Sequence, residues 1–145
     1  MKAKIIVSIF FLLFASALRA AGTLPQGLWT VESVTVEKNT DGNLQTAVYN
    51  SAGDVENYIP CPQEWEINEK TIILTYSGGR EKTVEYGIKG GLLIMEIAGA
   101  IQSYKYDVKG ENLILAVSYE YVNNLPSGHT ERIEEKRIIT LRKNK

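Results

Sequence analysis

The groups capable of covalent chemistry are few. The chain of 145 residues holds one histidine, His129, and one cysteine, Cys61. Nucleophilic catalysis needs a thiol or hydroxyl with a base beside it, and these two residues lie far apart in the chain. Cys61 sits between Pro60 and Pro62, whose rings fix an extended, turn-like backbone. It reads as a shielded free thiol, because a single cysteine forms no internal disulfide. His129 falls in Pro126-Ser127-Gly128-His129-Thr130, a turn composition, and reads as an exposed loop residue. A metal centre wants clustered His, Cys and carboxylate ligands, so no metal or cofactor is expected. Carboxylate pairs such as Glu64 and Glu66 are separated by an apolar residue, the outward pattern of a strand. No enzymatic site is expected. What remains is tyrosine, which joins an apolar ring to a polar handle. Trp65, Tyr76, Tyr86, Tyr104, Tyr106, Tyr119 and Tyr121 recur among aliphatic residues at alternating positions, the composition of a small-molecule site.

These side chains need strands to position them. Alternation with a period of two recurs throughout the chain after residue 22, and no stretch shows sustained helical periodicity. Ile72, Leu74 and Tyr76 share a face, as do Val84, Tyr86 and Ile88, and Tyr104, Tyr106 and Val108. The longest set is Leu113, Leu115, Val117, Tyr119 and Tyr121. In the first long run, Trp29, Val31, Ser33 and Thr35 face one way, and Thr30, Glu32, Val34 and Val36 the other. Turn signals such as Asp41-Gly42, Gly78-Gly79, Gly90-Gly91 and Lys109-Gly110 punctuate the runs. Nine strands are predicted: 28–38, 44–50, 63–68, 71–77, 81–88, 92–97, 101–108, 113–122 and 130–142. Residues 51–62 are predicted as a loop or a short turn of helix.

An internal repeat supports a meander. The segments beginning at Trp65, Tyr86 and Tyr106 share one pattern: an aromatic residue, Ile or Val two positions later, a tight turn, then an aliphatic run. Each unit is one hairpin. Eight or nine strands in about 120 residues leave exposed edges unless the sheet closes. The predicted fold is therefore all-β, an antiparallel up-and-down meander closed into an eight- to nine-stranded barrel.

The first 22 residues have a different physical task. Lys2 and Lys4 precede an uncharged run from Ile5 to Leu18, and Ala20, Ala21 and Gly22 follow Arg19. A basic start, an apolar middle and a small-residue end read as a secretory signal peptide, residues 1–22, with cleavage near Ala20. The run is shorter than the roughly 20 residues wanted for a membrane span. No cysteine stands at the cleavage point, so a lipid anchor is not expected. Without Lys2, Lys4 and Arg19, 13 basic residues face 17 acidic ones, a formal −4. An acidic domain has no footprint for nucleic acid. All three phenylalanines, Phe10, Phe11 and Phe14, belong to this segment. Residues 23–145 are thus expected as one exported domain, periplasmic or extracellular, whose core uses no Phe.

Gly27-Leu28-Trp29 opens the first long strand. A Gly-x-Trp in that position of a small meander barrel resembles the lipocalins, most of all the short bacterial lipocalin-like domains. The resemblance covers residues 24 to 143. It implies that Trp29 plugs the closed end of the barrel and that an arginine of the last strand packs over it, here Arg142, with Arg137 second. Gly27, Trp29 and Arg142 are then structural. The chain departs from the pattern in lacking a cysteine pair, a helix after the last strand and the second signature around a Thr-Asp-Tyr turn.

The resulting functional expectation is a small hydrophobic or amphipathic ligand held in the barrel by the tyrosines and Trp65. The alternative is a filled barrel acting as an envelope or extracellular interaction module, an inhibitor or an assembly component. Glu135 and Arg137 share a face with Ile133, Ile139 and Leu141. On an inward face they would form a buried pair, and Arg137 would meet an anionic head group such as a carboxylate. The plainer expectation is that residues 131–137 form a solvated, mixed-charge strand end at the barrel mouth.

Overall fold

The computed structural model describes residues 4–6, 24–55 and 59–145. Apart from residues 4–6, the expected signal peptide and its cleavage point near Ala20 lie outside the described residues. Ten strands run in chain order: β1 (Lys4–Ile6), β2 (Gly27–Thr40), β3 (Asn43–Tyr49), β4 (Glu64–Ile67), β5 (Thr71–Thr75), β6 (Glu81–Lys89), β7 (Leu92–Ile97), β8 (Ala100–Lys109), β9 (Asn112–Asn124) and β10 (Thr130–Lys143). All nine predicted strands form. In the irregular segment the described residues include a short 3-10 turn, Ala52–Asp54.

Every pairing is antiparallel. Strands β2, β4, β5, β6, β7, β8, β9 and β10 close into an eight-stranded barrel, because β10 pairs with both β9 and β2. β3 stands outside the cycle. It and β4 share one edge of β2: β4 pairs with residues Gly27 to Thr30, β3 with Val34 to Thr40. The wall therefore divides above Val31, whose N–H donates to the Gln63 carbonyl at 2.9 Å. β1 pairs with β9 at Glu120 to Val122, above the stretch that pairs with β8. The three repeat units are the hairpins β4–β5, β6–β7 and β8–β9. The β6–β7 turn needs Gly90 and Gly91, whose φ angles of 59° and 75° disfavour any side chain.

The interior follows the period-two reading except in β2. Leu113, Leu115, Val117, Tyr119 and Tyr121 are all buried. In β2 the buried residues are Trp29, Val31, Val34 and Val36, so two residues expected on opposite faces lie on one. The cause is a bulge: Thr140 pairs with Ser33 but Leu141 pairs with Val31, leaving Glu32 unopposed. One extra residue shifts the phase of every side chain beyond it.

Trp29 closes the lower end. It is 1% exposed, its indole N–H donates to the Pro25 carbonyl at 3.3 Å, and Leu24 packs with it in the core. The cation over its ring is Lys143, Nζ 5.9 Å from the centroid, and not Arg142. Parity explains the correction. Both side chains are exposed at the strand end, but Arg142 pairs with Thr30, whereas Lys143 pairs with Trp29 and continues the parity of Ile139 and Leu141. Gly27, at φ 127°, lets the entering backbone pass beneath Lys143; a Cβ there would lie 3.4 Å from Cε.

Candidate functional site

The upper end is open. Segment 59–63 is held across it from both sides: Gln63 donates its N–H to the Thr75 carbonyl at 2.7 Å and accepts the Val31 N–H. Across from it, the β7–β8 turn is made by Ala98 and Gly99, both at positive φ (52° and 78°). Between these two caps lies a cavity of about 330 Å³. Ile59, Pro60, Cys61 and Pro62 form one side, and Ile97, Ala98 and Ala100 the other. Tyr76, Gln102, Tyr104, Tyr119, Arg137 and Ile139 complete the lining.

The polar groups of this cavity form one connected chain. The Tyr104 hydroxyl donates to Gln102 Oε1 at 2.5 Å, and the Tyr119 hydroxyl reaches the same oxygen at 3.5 Å. The Arg137 guanidinium carbon lies 5.5 Å from the centroid of the Tyr119 ring, within cation–π range. Arg137 Nε donates to Glu135 Oε2 at 2.6 Å. Glu135 Oε1 accepts from the Tyr121 hydroxyl at 3.3 Å and lies 3.6 Å from Lys38 Nζ. Glu135 is 3% exposed and Arg137 1%. The solvated strand end expected of 131–137 is thus corrected. The charges of β10 alternate, and the inward ones are buried as a pair because β9 and β2 flank the strand on both sides.

Burial sets the protonation of the lining. It pushes the Cys61 thiol up to about 11, against the pull of Arg137. It also pushes the Tyr119 phenol up to about 12, with Arg137 again opposing, and carries Tyr104 well above the ordinary phenol range. Tyr76 is raised by burial against Arg80, whose guanidinium lies 5.4 Å from its ring centroid. At neutral pH the thiol and phenols are therefore neutral donors and acceptors. The Cys61 S–H points to the Pro62 carbonyl at 3.7 Å. His129 is exposed in the β9–β10 turn, away from the cavity. Among the described residues no group of three or more His, Cys, Asp or Glu is placed to hold a metal ion.

The structure brings together Tyr76, Tyr104, Tyr119 and Arg137 from the predicted set. The other four stand off the cavity. Trp65 is fully buried beneath it, edge-on to Tyr104 with centroids 5.7 Å apart and planes at 88°. Among the described residues its indole N–H has no hydrogen-bond acceptor. Tyr86 is half-buried and donates to the Asn68 carbonyl at 2.7 Å, tying two hairpins together. Tyr106 packs partly buried against the core. Tyr121 lies beyond Arg137, on Glu135. Sequence reasoning missed Gln102, Ile97, Ile139 and the lining role of Cys61 and its flanking prolines. The Pro-Cys-Pro segment was the available signal, since two prolines hold a backbone in place without a strand.

Among the described residues no helix is long and apolar enough to cross a membrane. Comparison with protein-family models, with curated proteins and with solved structures finds no match to this chain.

Proposed function

We propose that this chain is an exported, lipocalin-like barrel protein that takes a small amphipathic molecule into the cavity at its open end. The observation that carries the reading is the cavity itself, with aliphatic and proline walls and a buried polar floor. Its volume falls near the lower end of the range for small-molecule sites, about 300–1,000 Å³. A filled barrel would favour the interaction module instead. The charges suggest which end of the ligand enters. Lys38 and Arg137 flank the single carboxylate of Glu135, and Arg80 adds a further cation at the rim. A positive floor suits an acceptor or anionic end, such as a carboxylate, with the apolar part between Ile59, Pro60, Ile97 and Ile139.

The test is displacement of an apolar fluorescent probe by a medium-chain fatty acid. Ala100→Trp, which puts an indole into the cavity from its rim, should lower probe affinity at least tenfold while leaving the melting temperature near that of the parent. Absence of probe binding at high micromolar concentration, or unchanged binding by Ala100→Trp, would overturn the proposal.

A further inference from the structure

Outside the closed cycle, β3 is the longer of the two strands that, among the described residues, pair on one side only. Its seven residues pair with β2 on one side, and among the described residues no strand pairs with the other. Six of the seven are exposed. Natural edges are blunted by Lys, Pro, bulges or inward charges. Asn43-Leu44-Gln45-Thr46-Ala47-Val48-Tyr49 has no charged residue, no proline and no glycine, and its ladder with β2 is regular from Asn43 to Tyr49. Leu44 and Val48 are 64% and 66% exposed, the highest values among the exposed large hydrophobic residues. The other strand outside the closed cycle, β1, pairs with β9.

We infer that β3 is a self-association edge, pairing antiparallel with β3 of a second copy of this chain. The sequence of the strand is self-complementary about Thr46. A two-fold axis there sets Thr46 opposite its own copy, and places Leu44 against Val48 of the second chain and Val48 against its Leu44. Cross-strand aliphatic pairs of this kind stabilise a sheet. Charge matching favours a copy of the same chain: the whole carries a net negative charge, yet the facing strands are neutral, so no like charges meet at the contact. The arrangement is isologous and closes at two copies. One strand pair is a small interface, so the dimer forms in the micromolar range or weaker.

Sedimentation of the purified full chain from micromolar to submillimolar concentration should show a monomer–dimer equilibrium. Thr46→Lys sets two lysines opposite each other and should abolish it with no change in melting temperature, since Thr46 is exposed. Mixing Thr46→Lys with Thr46→Glu should restore a one-to-one dimer, and Thr46→Cys should yield a disulfide linking position 46 of both copies under oxidising conditions. A monomer at every concentration, a dimer indifferent to Thr46→Lys, or growth beyond dimers would overturn the inference.

Discussion

Replacing Arg137 by methionine tests the buried pair directly. Arg137 and Glu135 are 1% and 3% exposed and meet at 2.6 Å. Two unit charges about 4 Å apart attract by about 4 kcal/mol at an effective dielectric of about 20. Arg137→Met removes that attraction and leaves Glu135 desolvated beside Lys38 at 3.6 Å and the Tyr121 hydroxyl at 3.3 Å. Breaking such a pair from one side costs about 3–5 kcal/mol. A domain of this size has about 5–15 kcal/mol in all, so the variant should fold but melt far earlier. Arg137→Met with Glu135→Leu removes both charges and should recover most of the loss, because a buried pair and an apolar replacement are often equal in stability. Urea unfolding of the parent and both variants, read with a common m-value, gives the three free energies. Probe binding should be weakened in both variants, which separates the ligand's need for the guanidinium from the fold's need for neutrality. A loss below about 1 kcal/mol for Arg137→Met would mean that the guanidinium is solvated, and the account of the site would fail.

The Cys61 thiol, at about 11 against an ordinary 9.0, should react with a thiol reagent at about pH 8 roughly 100-fold more slowly in the folded chain than after denaturation, since the thiolate is the nucleophile. The native state holds the Cys61 and Tyr119 protons more tightly than the unfolded chain does. Their contribution to stability is therefore intact below about pH 9 and falls as pH rises through about 11 and about 12. Each group adds a slope of up to about 1.4 kcal/mol per pH unit over its own window, and Cys61→Ala should remove the lower step from a denaturation series. Trp29→Ala should cost about 3–5 kcal/mol by opening the closed end, whereas Lys143→Ala should cost about 1 kcal/mol or less, and equal costs in urea unfolding would contradict the packing assigned to the indole. Gly27→Ala, at φ 127°, should lower stability by about 1–3 kcal/mol from backbone strain, and a neutral result in the same assay would mean that the chain entry relaxes.

The elements were legible because their punctuation is local. Glycines at the turns and period-two apolar runs name the strands almost to the residue, and the repeat names three hairpins. Two inward assignments failed for reasons that are not local. The bulge at Glu32 exists because β2 pairs with β10 in two registers, and no property of Glu32 itself announces it. Arg142 is expected over Trp29 from the lipocalin resemblance, although the parity of Ile139 and Leu141 already puts Lys143 on the side of the indole. The cavity was half legible. Tyr104, Tyr119 and Arg137 lie on strands whose faces can be read, but Ile59, Pro60 and Ile97 come from a loop and a turn, and only closure of the barrel sets them opposite one another. The Glu135–Arg137 pair looked like solvated surface because charges occupy both parities of that stretch, Glu134 and Lys136 between them.

The position of β10 bears on how the chain can be made. It follows β2 to β9 in the chain, and it pairs along its length with both β9 and β2. Until it arrives, β2 and β9 have no bridge between them, and the tryptophan at the closed end lacks its cover. The closing ladder joins Trp29 to Lys143, a separation of nearly the whole domain, and such distant pairings form late and slowly. A nascent chain of this architecture stays unclosed, its two boundary strands unbridged, until β10 has emerged.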